Sequence, residues 1–73
     1  MISTLMVLRK KAGLTQLDLA GAVGVTQSEI SILENGARIR RMDVIADYFK
    51  LENADDLLLE WDVYRDRQTA AVA

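Results

Sequence analysis

Residues 16–35, QLDLAGAVGVTQSEISILEN, decide how this chain folds. Thr15 stands just before them as a cap for a helix from Gln16 to about Val23. Gly24 sits where that helix must stop, because glycine takes the left-handed backbone without a steric clash. Thr26 opens a second helix, and Glu29 three residues later completes the T-x-x-E spacing of a capping box. Asn35-Gly36 ends it. At about 100° per residue, Ile30 and Leu33 fall on one side of the second helix. Gln27, Ser28, Ser31, Ile32 and Asn35 gather on the other. In the first helix Leu19 and Val23 point the same way, and Ala20 beside them is small enough for the two helices to cross closely.

A crossed helix pair with a glycine-containing turn is a helix-turn-helix, whose second helix enters the DNA major groove. An ordinary helical hairpin is the alternative. Cap, small residue, glycine and apolar positions together favour the first reading. With LRKKAGLTQLDLA (8–20), GVTQSEIS (24–31), LENG (33–36), IADYF (45–49) and DDLL (55–58), the chain resembles the phage-repressor helix-turn-helix family, the lambda Cro and xenobiotic-response-element type. The resemblance covers Leu8 to about Leu58. It implies an all-α, compact five-helix, lambda-repressor-like domain with the helix-turn-helix formed by helices 2 and 3.

The chain has 73 residues, read as one domain over 1–66 and a short tail over 67–73 that carries no charge after Arg67. A domain this small buries only about 60% of its unfolded surface, so its core is marginal. The apolar fraction, 51%, and the absence of proline suit helices. Without cysteine or histidine there is no thiolate, and a zinc site would need carboxylates alone. We therefore expect no metal and no cofactor. No nucleophile stands with a base and no phosphate loop occurs, so no enzyme is expected. Residues 1–12 lack a secretory pattern and no apolar run reaches membrane length, pointing to a cytoplasmic protein with no membrane partner.

The net charge of −2 argues against nucleic acid until its distribution is read. Residues 1–41 carry six Lys and Arg against three Asp and Glu; residues 42–73 carry three against eight. The motif half is basic and the remainder acidic, as if one side faced phosphate.

Ser3 or Thr4 can cap a first helix ending at Gly13, with Leu5 and Leu8 inward and Met1 or Ile2 packing loosely on it. On the free face of helix 3, Gln27 can bond adenine in bidentate fashion, Ser28 and Ser31 are permissive, and Ile32 can touch a thymine methyl. Arg38, Arg40 and Arg41 read as a phosphate clamp, and Asn35 as a further phosphate contact. The resemblance adds that Gln16 reaches a phosphate at the helix 2 N-terminus and that Arg9 pairs with Glu34. It also marks the connection to helix 4 as about three residues short, without the usual proline or a good cap.

Helix 4 is expected from about Met42 to Leu51, with Met42, Ile45, Ala46 and Phe49 as its apolar stripe. Asn53 caps the expected helix 5. There Leu57, Trp61 and Tyr64 form one stripe with Leu58 alongside, and Leu59 and Val63 another. So small a domain cannot bury both, so these six are candidates for a dimer interface, where the resemblance also places one. The tail either extends this helix or is irregular. The chain thus reads as a prokaryotic or phage transcription regulator, a repressor or autoregulator binding a two-fold operator in double-stranded DNA as a homodimer. The alternatives are an antitoxin that holds a toxin protein, or the controller of a restriction–modification system. With no second domain, no small-molecule effector is expected.

Overall fold

Ser3 rather than Thr4 starts the first helix: its hydroxyl accepts the Met6 amide at 3.1 Å, and α1 spans Thr4–Lys11. α2 spans Gln16–Val23 and α3 Gln27–Glu34. α4 spans Met42–Tyr48 and α5 Trp61–Val72, with a 3-10 helix, Ala54–Leu58, between them. The computed structural model describes residues 2–72, and side chains through Thr69. Met1, one of the two residues expected to pack loosely on α1, and Ala73 of the tail lie outside the described residues.

The fold is all-α. Leu5 of α1, Leu19 and Ala20 of α2, Ile30 and Leu33 of α3, Met42, Ile45 and Ala46 of α4, and Leu57 form one buried cluster. Leu14, Val23, Val25, Phe49 and Leu51 close its edges. Burying a large aliphatic side chain stabilises by about 1.5–3 kcal/mol. Every element except α5 therefore contributes to one core, and none is stable alone at these lengths.

Helix 4 is shorter than its apolar stripe led us to expect. It stops at Tyr48 because Lys50 takes a left-handed backbone, φ 59°. The Lys50 amide then returns to the Asp47 carbonyl at 3.0 Å and the Leu51 amide to Ala46 at 2.8 Å. These two bonds satisfy carbonyls at the helix end, and they offset the roughly 1–2 kcal/mol that a left-handed lysine costs. At the other end Arg41 occupies the cap position with no side-chain cap bond.

The expected helix 5 is two elements. Asn53 does start the first, its side chain accepting the Asp55 amide at 3.0 Å. Leu59 is then extended (φ −67°, ψ 148°), and its carbonyl accepts both the amide and the hydroxyl of Thr4, each at 2.9 Å. The Trp61 amide donates to the Ile2 carbonyl at 2.8 Å, making a short antiparallel bridge between Ser3 and Glu60. Thr4 is fully buried, and its two donors need an acceptor inside the protein. An extended Leu59 offers its carbonyl to them; a continuous helix would have used that carbonyl itself.

This break separates residues expected on common stripes. Leu57 is fully buried in the core and is not a surface contact, which corrects its assignment to a dimer interface. Leu58 is half-buried against the core and Leu59 is half-buried at the bridge. Trp61 and Tyr64 lie half-buried with ring centroids 5.9 Å apart, and Val63 is exposed. α5 continues through residues 67–72 of the tail and projects from the core, giving extents of 37 × 22 × 21 Å.

Leu57→Ala should lower unfolding free energy by about 2–5 kcal/mol, with a loss independent of protein concentration. Urea denaturation at two concentrations checks this. A small loss, or one that appears only on dilution, would return Leu57 to an interface.

Candidate nucleic-acid interface

The two helices of the motif are held at their starts by the same local device. The Thr15 hydroxyl accepts the Asp18 amide at 3.0 Å, while the Asp18 carboxylate accepts the Thr15 amide at 3.0 Å. The Thr26 hydroxyl accepts the Glu29 amide at 3.1 Å, and the Glu29 carboxylate accepts the Thr26 amide at 3.0 Å. The sequence reading found the second capping box and passed over the first, although T-x-x-D at 15–18 has the same spacing. The backbone amides of Thr15 and Thr26, then their hydroxyls, hold the Asp18 and Glu29 carboxyls below their ordinary values; Arg41 adds slightly at Glu29.

Between the boxes, Gly24 turns the chain at φ 77°. Its carbonyl accepts Nη1 of Arg41 at 2.9 Å. Arg41 therefore ties the start of α4 to the turn of the motif, beside the N-terminal end of α3.

The end of α3 is fixed by a buried ion pair. Arg9 Nε donates to Glu34 Oε2 at 2.5 Å and Arg9 Nη2 to Glu34 Oε1 at 3.3 Å. Arg9 Nη1 also donates to the Leu14 carbonyl at 2.7 Å, and Gln16 Nε2 to Glu34 Oε1 at 3.1 Å. Arg9 is 8% exposed and Glu34 5%. Among the described residues, no buried side-chain nitrogen or oxygen lacks a partner. Four parts of the chain thus converge on one ion pair: α1 and the first residue of α2 donate to the carboxylate at the end of α3, and the loop after α1 accepts from the guanidinium. Gln16 sits half-buried inside this network, with its amide nitrogen directed at Glu34.

With its cap, turn and end held, α3 can present only one face. Ile30 and Leu33 are fully buried. Gln27 and Ser28 are exposed, Ser31 is half-buried, and Ile32 is 45% exposed. Asn35 is exposed, its amide donating back to the Ser31 carbonyl at 2.9 Å. The three loop arginines do different things. Arg38 bridges Asp55 at 2.6 Å in solvent, Arg41 holds the turn, and Arg40 is exposed without an ion pair or hydrogen bond among the described residues.

Side-chain chemistry and geometry together define a helix-turn-helix. The chain belongs to the helix-turn-helix domain family, whose family model matches residues 3–61, ending where α5 begins. No curated protein matches the chain. No solved structure matches it. The family makes this a DNA-binding fold of a kind typically without enzymatic activity. Among the described residues, no helix is long and apolar enough to cross a membrane.

Two measurements probe the frame of this site. Glu34→Ala leaves a guanidinium buried without its partner and should cost about 3 kcal/mol or more. The Arg9→Ala, Glu34→Ala double variant should cost well under the sum of the singles; additivity within about 0.5 kcal/mol would mean the two act independently. The capping carboxylates add a pH dependence. Both are held below their ordinary values of 3.8 and 4.5, so their stabilisation is intact above those values and is lost as pH falls through the folded ones. The melting temperature should drop as pH falls below 4.5, and less steeply in the Asp18→Asn, Glu29→Gln variant. Parallel curves for the two proteins would show that the boxes carry no such linkage.

Proposed function

We propose that the chain is a sequence-specific transcription regulator, a repressor or autoregulator, that binds a two-fold operator in the cytoplasm as a homodimer. α3 lies in the major groove of each half-site. The observation that carries this reading is the divided surface of α3. Ile30 and Leu33 commit one face to the core, leaving Gln27, Ser28 and Ile32 exposed on the other with Ser31 half-buried beside them. Gln27 is the residue best fitted to bond an adenine edge, and Ile32 offers an apolar surface to a thymine methyl. Half-sites about 34 Å apart would match the two helices of a dimer.

Phosphate contacts come from the rim of this face. Arg41 stands beside the N-terminal end of α3, and Arg40 has no competing partner among the described residues. Asn35 lies at the other end of the helix. Gln16 can offer a phosphate only what its bond to Glu34 leaves free. Arg38 must leave Asp55 to join them, a small obstacle because both groups are largely solvated. The dimer contact includes the last segments of the domain, where Val63 is exposed, Trp61 and Tyr64 are half-buried, and Leu58 and Leu59 lie behind them.

Base and phosphate contacts leave different signatures. On an operator selected from random DNA, Gln27→Ala should lose about 1–3 kcal/mol and on scrambled DNA very little. Arg40→Ala should weaken both DNAs alike and flatten the plot of log affinity against log salt by about one unit per protomer. Fluorescence anisotropy titrations at three salt concentrations check both. If Gln27→Ala weakened both DNAs equally, α3 would not read bases. An unchanged salt slope in Arg40→Ala would turn the loop away from DNA.

A further inference from the structure

The side of α1 away from Leu5 and Arg9 carries Met6, Val7, Lys10 and Lys11, and it has no role in the core or in the α3 frame. Ile2, 56% exposed, sits at one end of it. Ile2, Met6 and Val7 line a shallow apolar groove flanked by Lys10 and Lys11. A second groove adjoins it through the same Ile2, formed with Trp61 and flanked by Glu60 and Asp62. Lys11 Nζ stands 4.8 Å from the centre of the Trp61 ring, so α1 and the start of α5 make one continuous surface.

One groove is flanked by lysines and the other by carboxylates, Ile2 is common to both, and Lys11 reaches across to Trp61 where they adjoin. A two-fold interface can make such a pattern self-complementary. In an isologous contact the same patch faces itself, so two grooves on opposite sides of the axis each meet the other groove of the second copy. We propose that this surface seats a second copy of the chain about a two-fold axis near Ile2. Lys10 and Lys11 of each protomer then face Glu60 and Asp62 of its partner. Ile2, Met6, Val7 and Trp61 close the apolar centre. The inference rests on the homodimer reading and names the surface that makes it. Ile2, Met6 and Val7 are absent from the interface expected from sequence, which was drawn along the last helix alone.

The test is a charge exchange on the full chain, read by sedimentation equilibrium with circular dichroism to verify folding. The Lys10→Glu, Lys11→Glu variant and the Glu60→Lys, Asp62→Lys variant each place like charges at both grooves. Each should raise the dimer dissociation constant about tenfold or more. Mixed in equal amounts, the two variants should recover a heterodimer with close to wild-type affinity. Dimers that survive in either variant alone would overturn this surface while leaving the homodimer standing. Two folded monomeric variants that fail to recombine would also overturn it. A wild-type chain that stays monomeric at hundreds of micromolar would end the homodimer reading itself.

Discussion

One buried carboxylate organises this protein. Glu34 ends α3, and Arg9 reaches it from α1 with two hydrogen bonds while Gln16 adds a third from α2. A charge taken out of water is costly unless its hydrogen-bonding capacity is filled, and a misplaced helix would leave it unfilled. The penalty for any other arrangement of α1, α2 and α3 is therefore steep. Apolar contacts alone would tolerate small rotations of α3 about its axis. The geometry of a guanidinium on a carboxylate does not. The rotation of α3 is what decides which side chains face outward, so a polar contact on the inner side sets the surface on the outer one.

The rest of the fold supplies what that pair cannot. The two capping boxes start α2 and α3 at defined residues, and Gly24 sets the turn between them. Arg41 links that turn to α4, whose Met42, Ile45 and Ala46 close the core under α3. Leu57 fills the remaining gap, and the bridge between Ser3 and Glu60 ties the two ends of the domain together. Charge follows the same division. Six of the nine basic residues lie in the first 41 positions, with the motif, and eight of the eleven acidic ones lie beyond them. A net charge of −2 is thus compatible with a surface that attracts phosphate locally.

What the sequence revealed and what it hid differ by the range of the interaction. Thr15, Gly24 and Thr26 were legible because each acts on the backbone within three or four residues. Ile30 and Leu33 were legible because helical periodicity puts them together. The bend at Leu59 was not, since its cause is Thr4, fifty-five positions away. The same holds for Arg41, whose partner Gly24 lies seventeen positions earlier, and for Gln16 turning to Glu34 eighteen later. No local rule predicts the left-handed backbone of Lys50. The apolar outer face of α1 was within reach: a helical wheel drawn for α1 sets Met6, Val7 and Lys10 apart from Leu5 and Arg9.

The central claim is that the outer face of α3 rests against base edges in the major groove. A cycle between protein and DNA tests it most directly. Each thymine of the selected operator is replaced in turn by uracil, which deletes only the methyl group in that groove. The account predicts that at least one replacement weakens the wild-type chain about fourfold, the worth of one buried methyl, and that the same replacement leaves Ile32→Ala unaffected. Replacements that weaken both chains equally, or that weaken neither at any position, would contradict it, because Ile32 could not then be lying in the groove.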